Sequence, residues 1–202
     1  MRISDNVQLI EGTMANCYYL KVNENNILVD SGTKSSAKKI VRFFEVLGIS
    51  PNIVLITHDH PDHIGGLSMI FDRFKPQIYA NKIEIPTIQG KERMHTAGTF
   101  MSKVVGGLMK SMPVQDVFSI DELKIKDLSV VETPGHTAGS TSFFYEPERM
   151  MFVGDAVVIH NGELSINKQF TADMNEAKKS EEKIRSYSPV TILPGHGKPL
   201  KI

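Results

Sequence analysis

The 202-residue chain has one cysteine, no excess of either charge and no long apolar run, and each shortage removes a class of protein. A single thiol, Cys17, rules out an internal disulfide and suits a reducing cytoplasm. It lies in the strand-like run Asn16-Cys17-Tyr18-Tyr19-Leu20 and reads as a small buried hydrophobe, not a catalytic nucleophile. Lysine and arginine total 23, as do aspartate and glutamate, whereas a dedicated nucleic-acid binder would show a basic excess. No stretch approaches the ~20 apolar residues of a membrane span. The opening Met1-Arg2-Ile3-Ser4-Asp5 lacks the apolar region of a signal peptide. A cytoplasmic protein with no membrane and no nucleic-acid partner is expected. No linker, repeat or low-complexity segment is visible, so residues 1–202 are expected to form a single domain.

What is present is a mixture of strands and amphipathic helices. Val7–Ile10, Cys17–Val22 and Ile27–Val29 read as strands, the last two separated by the turn Asn23-Glu24-Asn25-Asn26. Lys34 to Leu47 has helical periodicity, with Ala37, Ile40, Val41, Phe44 and Leu47 on one face and Gly48 at the end. Ile53–Ile56 is a continuous apolar run, as expected of a strand buried on both faces. A helix is expected from Asp62 or His63, with Ile64, Leu67, Phe71 and Phe74 as its stripe and Gly65-Gly66 allowing close backbone approach. Leu128–Glu132, Thr141–Tyr145, Met150–Val153 and Val190–Leu193 read as further strands. Asp173, with Glu176 three residues on, signals the cap of a helix running to about Tyr187.

The histidines are concentrated where side chains can converge. Thr57-His58-Asp59-His60-Pro61-Asp62-His63 follows the apolar run directly, and imidazole with carboxylate is a donor set that a Zn²⁺-type ion prefers. His136 lies in Thr133-Pro134-Gly135-His136-Thr137, His196 in Leu193-Pro194-Gly195-His196-Gly197, and Asp155 follows Met150-Met151-Phe152-Val153-Gly154. Five of the seven histidines therefore sit at strand ends or in Gly/Pro turns. His58 and His60, two apart in extended backbone, would point to the same side. These residues predict a metal site.

The order His58-x-His60-x-Asp62-His63, then His136, Asp155 and His196, resembles the ligand set of the metallo-β-lactamase superfamily, and the match spans nearly the whole chain. The Thr-x-His-x-His-x-Asp-His-x-x-Gly-Gly stretch is more similar to the thioesterase, lactonase and RNA-nuclease branches than to the lactamases proper. The resemblance implies an α/β fold, the αββα four-layer sandwich, with metals at one edge of the two sheets. It implies that His58, His60 and His136 hold a first metal, that Asp62, His63 and His196 hold a second, and that Asp155 bridges them. The cofactors would be two divalent ions, zinc in the first place, with iron or manganese as alternatives. A hydroxide between them would cleave a thioester, lactone or similar acyl bond of a small molecule, with Asp62 relaying the proton to the departing group.

Within that family, glyoxalase II and the related lactonases are the leading comparison. The glyoxalase branch carries a helical segment after its last ligand histidine that supplies basic residues for glutathione. Here six residues follow His196, so glutathione recognition stays open, Lys178-Lys179 being the remaining basic pair. The main alternative is a persulfide-dioxygenase-like enzyme with one iron on two histidines and one aspartate. An RNA-processing nuclease would need an RNA-gripping arm and basic surface; a β-lactamase would be exported; the flavin-linked di-iron branch has glutamate where His60 stands. A non-catalytic metal-binding protein has no positive feature in its favour.

Several other residues have two readings each. Asp30, at the end of a strand, either orients a ligand histidine or is a turn or cap aspartate. Asp59 is expected to be structural or supporting, not a ligand. Thr137, Ser140 and Thr141 either tie the His136 loop to the backbone or simply make its turn. His95 and His160 fall outside the pattern and are expected to be inert, His160 being the better candidate for a role. The stretch 82–113, with Met94, Met101, Met109 and Met112 among glycines, is either a cap over the metals or a helical insertion filling core or a subunit interface. A homo-oligomer is left open.

Overall fold

The structure, a computed structural model, describes residues 1–93 and 112–202. They fall into two compact units, 1–93 with 112–123, and 124–202. Most of the 82–113 stretch, including Met94, His95, Met101 and Met109, lies outside the described residues.

The first unit is built on a six-stranded sheet of β1 (Val7–Ile10), β2 (Cys17–Val22), β3 (Asn25–Val29), β4 (Ile53–Leu55), β5 (Gln77–Ala80) and β6 (Phe118–Ser119), ordered as in the chain. The first three strands are antiparallel, and β3 through β6 run parallel. Strand β3 starts two residues earlier than expected, because Asn25 and Asn26 pair with Val22 and Lys21 across a tight turn with Asn23 in the left-handed region. Every residue of β4 is buried, in keeping with its continuous apolar run.

Helix α1 (Lys34–Leu47) has the expected bounds. Thr33 caps its start by accepting from the Ser36 N–H, and Gly48, at φ 66°, closes its end. Ala37, Ile40 and Phe44 are buried, and Phe44 packs edge-on against Tyr19 and Phe43. Val41 is only half-buried, and Leu47, the last helical residue, is 43% exposed.

The next helical stretch breaks in two, α2 (Pro61–Ile64) and α3 (Leu67–Phe74), where one continuous helix was expected. The break falls at Gly65-Gly66 for a steric reason. A Cβ on Gly66 would stand 2.2 Å from the Ser31 carbonyl oxygen, and the Gly66 N–H donates to the Gly32 carbonyl, outside the helix. A short helix, α4 (Ile85–Ile88), follows β5. Beyond it, Val114 donates to the Ile88 carbonyl, and both side chains join this unit's apolar core.

The second unit carries a five-stranded sheet ordered β13-β12-β9-β8-β7. Its members are β7 (Leu128–Glu132), β8 (Thr141–Tyr145), β9 (Met150–Gly154), β12 (Thr191–Pro194) and β13 (Leu200–Lys201). Strands β9 and β12 are parallel neighbours, and the other pairs are antiparallel. A separate hairpin joins β10 (Val158–His160) to β11 (Glu163–Ser165). Helix α5 (Met174–Arg185) is capped by Asp173, which accepts from the Asn175 and Glu176 N–H groups. Glu176 pairs with Lys179 and does not complete a reciprocal capping box. The helix stops at Arg185, two residues before Tyr187, whose ring packs edge-on against Phe144. A core of Val131, Met151, Val153, Ile184 and Ile192 holds this unit together.

Candidate metal centre

In a parallel sheet, side chains just past the carboxyl ends of adjacent strands are the ones best placed to meet. The first unit applies this at β3, β4 and β5, whose tips are Asp30, Thr57 and Asn81.

The loop after β4 delivers four candidate ligands. His58 and His63 are buried, His60 is half-buried at the start of α2, and the Asp62 side chain is 21% exposed. The rings of His58 and His60 stand 4.7 Å apart, as two residues on one side of extended backbone should, and those of His58 and His63 4.1 Å apart. Ligand atoms of His58 and His60 lie within 4.8 Å of one another, as do those of His58 and His63 and those of Asp62 and His63.

Asp30 organises this cluster from β3. Its backbone is left-handed, φ 59°, which Asp tolerates better than most residues. One carboxylate oxygen accepts the Thr57 N–H at 2.9 Å. The other accepts the Thr57 hydroxyl at 2.8 Å and faces His63 Nδ1 at 2.7 Å. A carboxylate only accepts, so His63 carries its proton on Nδ1 and presents Nε2 as a lone pair. The same reasoning reaches His58. The Thr57 hydroxyl donates to Asp30, so its oxygen, 3.1 Å from His58 Nδ1, accepts from that nitrogen and leaves His58 Nε2 as the electron-pair donor to a cation. Of the two readings of Asp30, the structure thus shows the contact with a candidate ligand histidine, and Thr57 makes a like contact with a second.

The second unit gathers the other two histidines of the set around Asp155. His136 Nε2 is 3.8 Å and His196 Nε2 3.5 Å from the same Asp155 oxygen. The sheet register explains the meeting of Asp155 and His196. Pro194 pairs with Gly154 across a bulge, and the Gly195 N–H donates to the Gly154 carbonyl at 2.7 Å, so the two strand tips emerge side by side. His136 is held by its loop: Thr137 N–H and hydroxyl both meet the Ser140 hydroxyl, the Ala172 N–H donates to the His136 carbonyl, and Thr141 bonds the Gly139 carbonyl. Gly135, at φ 130°, has no room for a Cβ, which would lie 2.3 Å from the Ala177 amide of α5.

These distances fit metal ligation. Two atoms ~2.1 Å from one tetrahedral ion stand ~3.4 Å apart. The His196–Asp155 distance matches, and the His136–Asp155 and His63–Asp62 distances of 3.8 and 3.9 Å exceed it by a few tenths of an ångström. A set of imidazoles and carboxylates suits zinc, iron or manganese.

Of the residues expected to be bystanders, His95 lies outside the described residues. His160 is exposed on β10, and the donor groups found among the described residues do not include it. Cys17 is fully buried, and burial, aided by the negative charge of Asp30, pushes its thiol well above the ordinary range, which suits an inert side chain. Asp59 is buried but absent from those donor groups. Its backbone N–H donates at 2.9 Å to the carboxylate of Glu84, which is itself 0% exposed. No local pattern pointed to Glu84, which lies at the start of the 82–113 stretch read only as a cap or a helical insertion.

The family model described as Metallo-beta-lactamase superfamily matches residues 10–196, which include all seven candidate ligands. The chain belongs to the metallo-β-lactamase superfamily. Among its relatives, the "Probable metallo-hydrolase YflN" of Bacillus subtilis is 31% identical over an alignment covering 93% of this chain and 82% of that protein. The hydroxyacylglutathione hydrolase of Hamiltonella defensa is 28% identical over 67% of this chain and 44% of that protein. Among solved structures, TTHA1623 in a di-iron-bound form superposes with a TM-score of 0.77 at 22% identity, covering 96% of this chain and 93% of that one. The fold is therefore the α/β metallo-β-lactamase fold with two main sheets and helices, and the reaction class is that of the superfamily's metallo-hydrolases.

Proposed function

We propose that this protein is a cytoplasmic dinuclear metallo-hydrolase that cleaves the acyl bond of a small thioester or lactone. The observation that carries the reading is the donor set itself. Seven histidines and aspartates occur in the superfamily's order, four on the β4 loop beside Asp30, then Asp155 with His136 and His196 around it. His58, His60 and His136 are assigned to one ion, Asp62, His63 and His196 to the other, and Asp155 to both. Zinc is the first choice of metal, and the di-iron form of a structural neighbour supports iron as an alternative occupant. The kinship to a hydroxyacylglutathione hydrolase supports a thioester substrate.

Bound ions would supply Lewis acidity and bring the pKa of a water down towards ~7. The protein's part is orientation and proton transfer. Asp30 and Thr57 keep the Nδ1 protons of His63 and His58 in place, so neither ring can turn its other nitrogen inward. Asp155 faces both His136 and His196. Asp62, the more exposed of the two candidate ligand carboxylates, takes up a proton from the attacking water and passes it to the leaving thiol or alcohol.

The test is elemental analysis per chain on protein purified without added metal, followed by a thioester and lactone panel. About two ions per chain with acyl hydrolysis is the expected outcome. One iron per chain with oxygen-dependent persulfide turnover would replace this reading, and no metal after reconstitution would overturn it.

A further inference from the structure

Glu84 has no part in the donor set, yet it is the buried carboxylate closest in sequence to the tip of β5, and its hydrogen bond ends on the ligand loop. Burying a carboxylate costs free energy unless strong hydrogen bonds offset the loss of water. Glu84 is 0% exposed, and one of its oxygens accepts the Asp59 N–H at 2.9 Å. That amide belongs to the peptide joining His58 to Asp59, directly between His58 and His60.

The arrangement on the other side of the loop mirrors it. Asp30, past the tip of β3, accepts the Thr57 N–H at 2.9 Å. Strands β3 and β5 are the two neighbours of β4 in the sheet. Alternate amides of the chain leaving β4, at Thr57 and Asp59, are thus each held by a carboxylate that follows an adjoining strand, Asp30 directly after β3 and Glu84 at the start of α4 beyond β5. Holding the His58–Asp59 peptide plane limits rotation about the bonds on either side of it, and those bonds set where the His58 and His60 rings point.

We propose that Glu84 is a positioning residue for metal binding: through the Asp59 amide it holds His58 and His60 ready for their ion before the ion arrives. The inference rests on the metal-site reading above and deepens it. Nothing in it requires Glu84 to touch metal or substrate. The acceptor atom is what counts, so a glutamine, whose carbonyl oxygen accepts the same N–H, should serve in its place.

The experiment is a cobalt(II) titration of the metal-free full-length protein, followed by the visible absorption of the bound ion and by chelator competition, with urea unfolding of each metal-free variant alongside. Glu84→Leu is expected to weaken cobalt binding about 10–100-fold, the range typical of lost supporting partners of ligand histidines. Glu84→Gln is expected to restore the parent's affinity and absorption spectrum. Should Glu84→Leu fail to fold, Glu84→Asp keeps the charge but withdraws the acceptor by one methylene, and is expected to show the weakened binding. A leucine variant with a lowered urea midpoint and unchanged affinity would show a purely structural residue and overturn the proposal. So would a glutamine variant as weak as leucine, or an aspartate variant as tight as the parent. If the parent itself bound no cobalt, the metal-site reading would fall first and take this inference with it.

Discussion

Asp30 receives three donors on two oxygens: the Thr57 N–H, the Thr57 hydroxyl and the Nδ1 proton of His63. Asparagine in its place tolerates the left-handed backbone but has one accepting oxygen, so it cannot serve all three. Asp30→Asn is therefore expected to leave the fold intact and weaken metal affinity about 10–100-fold, measured by chelator competition. Affinity equal to the parent's would show that His63 needs no such partner. In the sequence this residue had two readings of equal standing, because Val29-Asp30-Ser31-Gly32 is also a good turn. What separated them was a contact 33 residues away in the chain, which local spacing does not encode. Cys17 is the opposite case: one thiol in an apolar run reads as core, and core is where it lies.

At the scale of elements, periodicity located most helices and strands but not the break between α2 and α3. The apolar stripe Ile64, Leu67, Phe71 and Phe74 runs through both helices as if they were one. The two glycines mark a place where the chain passes Ser31 too closely for any side chain, and the Gly66 N–H leaves the helical pattern for Gly32. Gly66→Ala would press a methyl group against the Ser31 carbonyl, a backbone atom that cannot swing away. It is expected to destabilise the protein by ~1–3 kcal/mol, read as a lowered urea midpoint. Ser31 also donates its N–H and hydroxyl to the His63 carbonyl, so the same substitution should weaken metal binding. A Gly66→Ala protein with parental stability would mean that the backbone yields there at little cost. The cap of α5 was legible because Asp173 acts locally, on amides two and three residues ahead. The sharing of a peptide amide between Glu84 and the β4 loop was not, since it depends on which strands are neighbours.

For the molecule as a whole, a bound ion should act as a ligand of the native state. Anything that binds the folded chain and not the unfolded one raises stability, by ~2.7 kcal/mol at a free concentration 100 times its Kd. For a chain of this size that corresponds to a thermal midpoint higher by about 5–10 °C. Stripping with a chelator is expected to lower the midpoint by that amount, and zinc or iron to restore it, measured by calorimetry or circular dichroism. A midpoint indifferent to chelator would mean that the folded chain holds no ion. No helix among the described residues is long and apolar enough to cross a membrane.

The sequence by itself determined the family and its candidate ligands, because a metal site needs particular side chains and their order in the chain survives as text. It also determined most element types, because burial against a sheet or along a helix imposes a period of two or of 3.6 residues. The tertiary structure alone decided which nitrogen of His58 and His63 presents its lone pair. It also decided why the helix after the ligand loop breaks, and that a buried glutamate at the start of the helix after a neighbouring strand accepts a hydrogen bond from that loop. Each of these depends on atoms far apart in the chain and a few ångströms apart in space, a relation set by strand order and register.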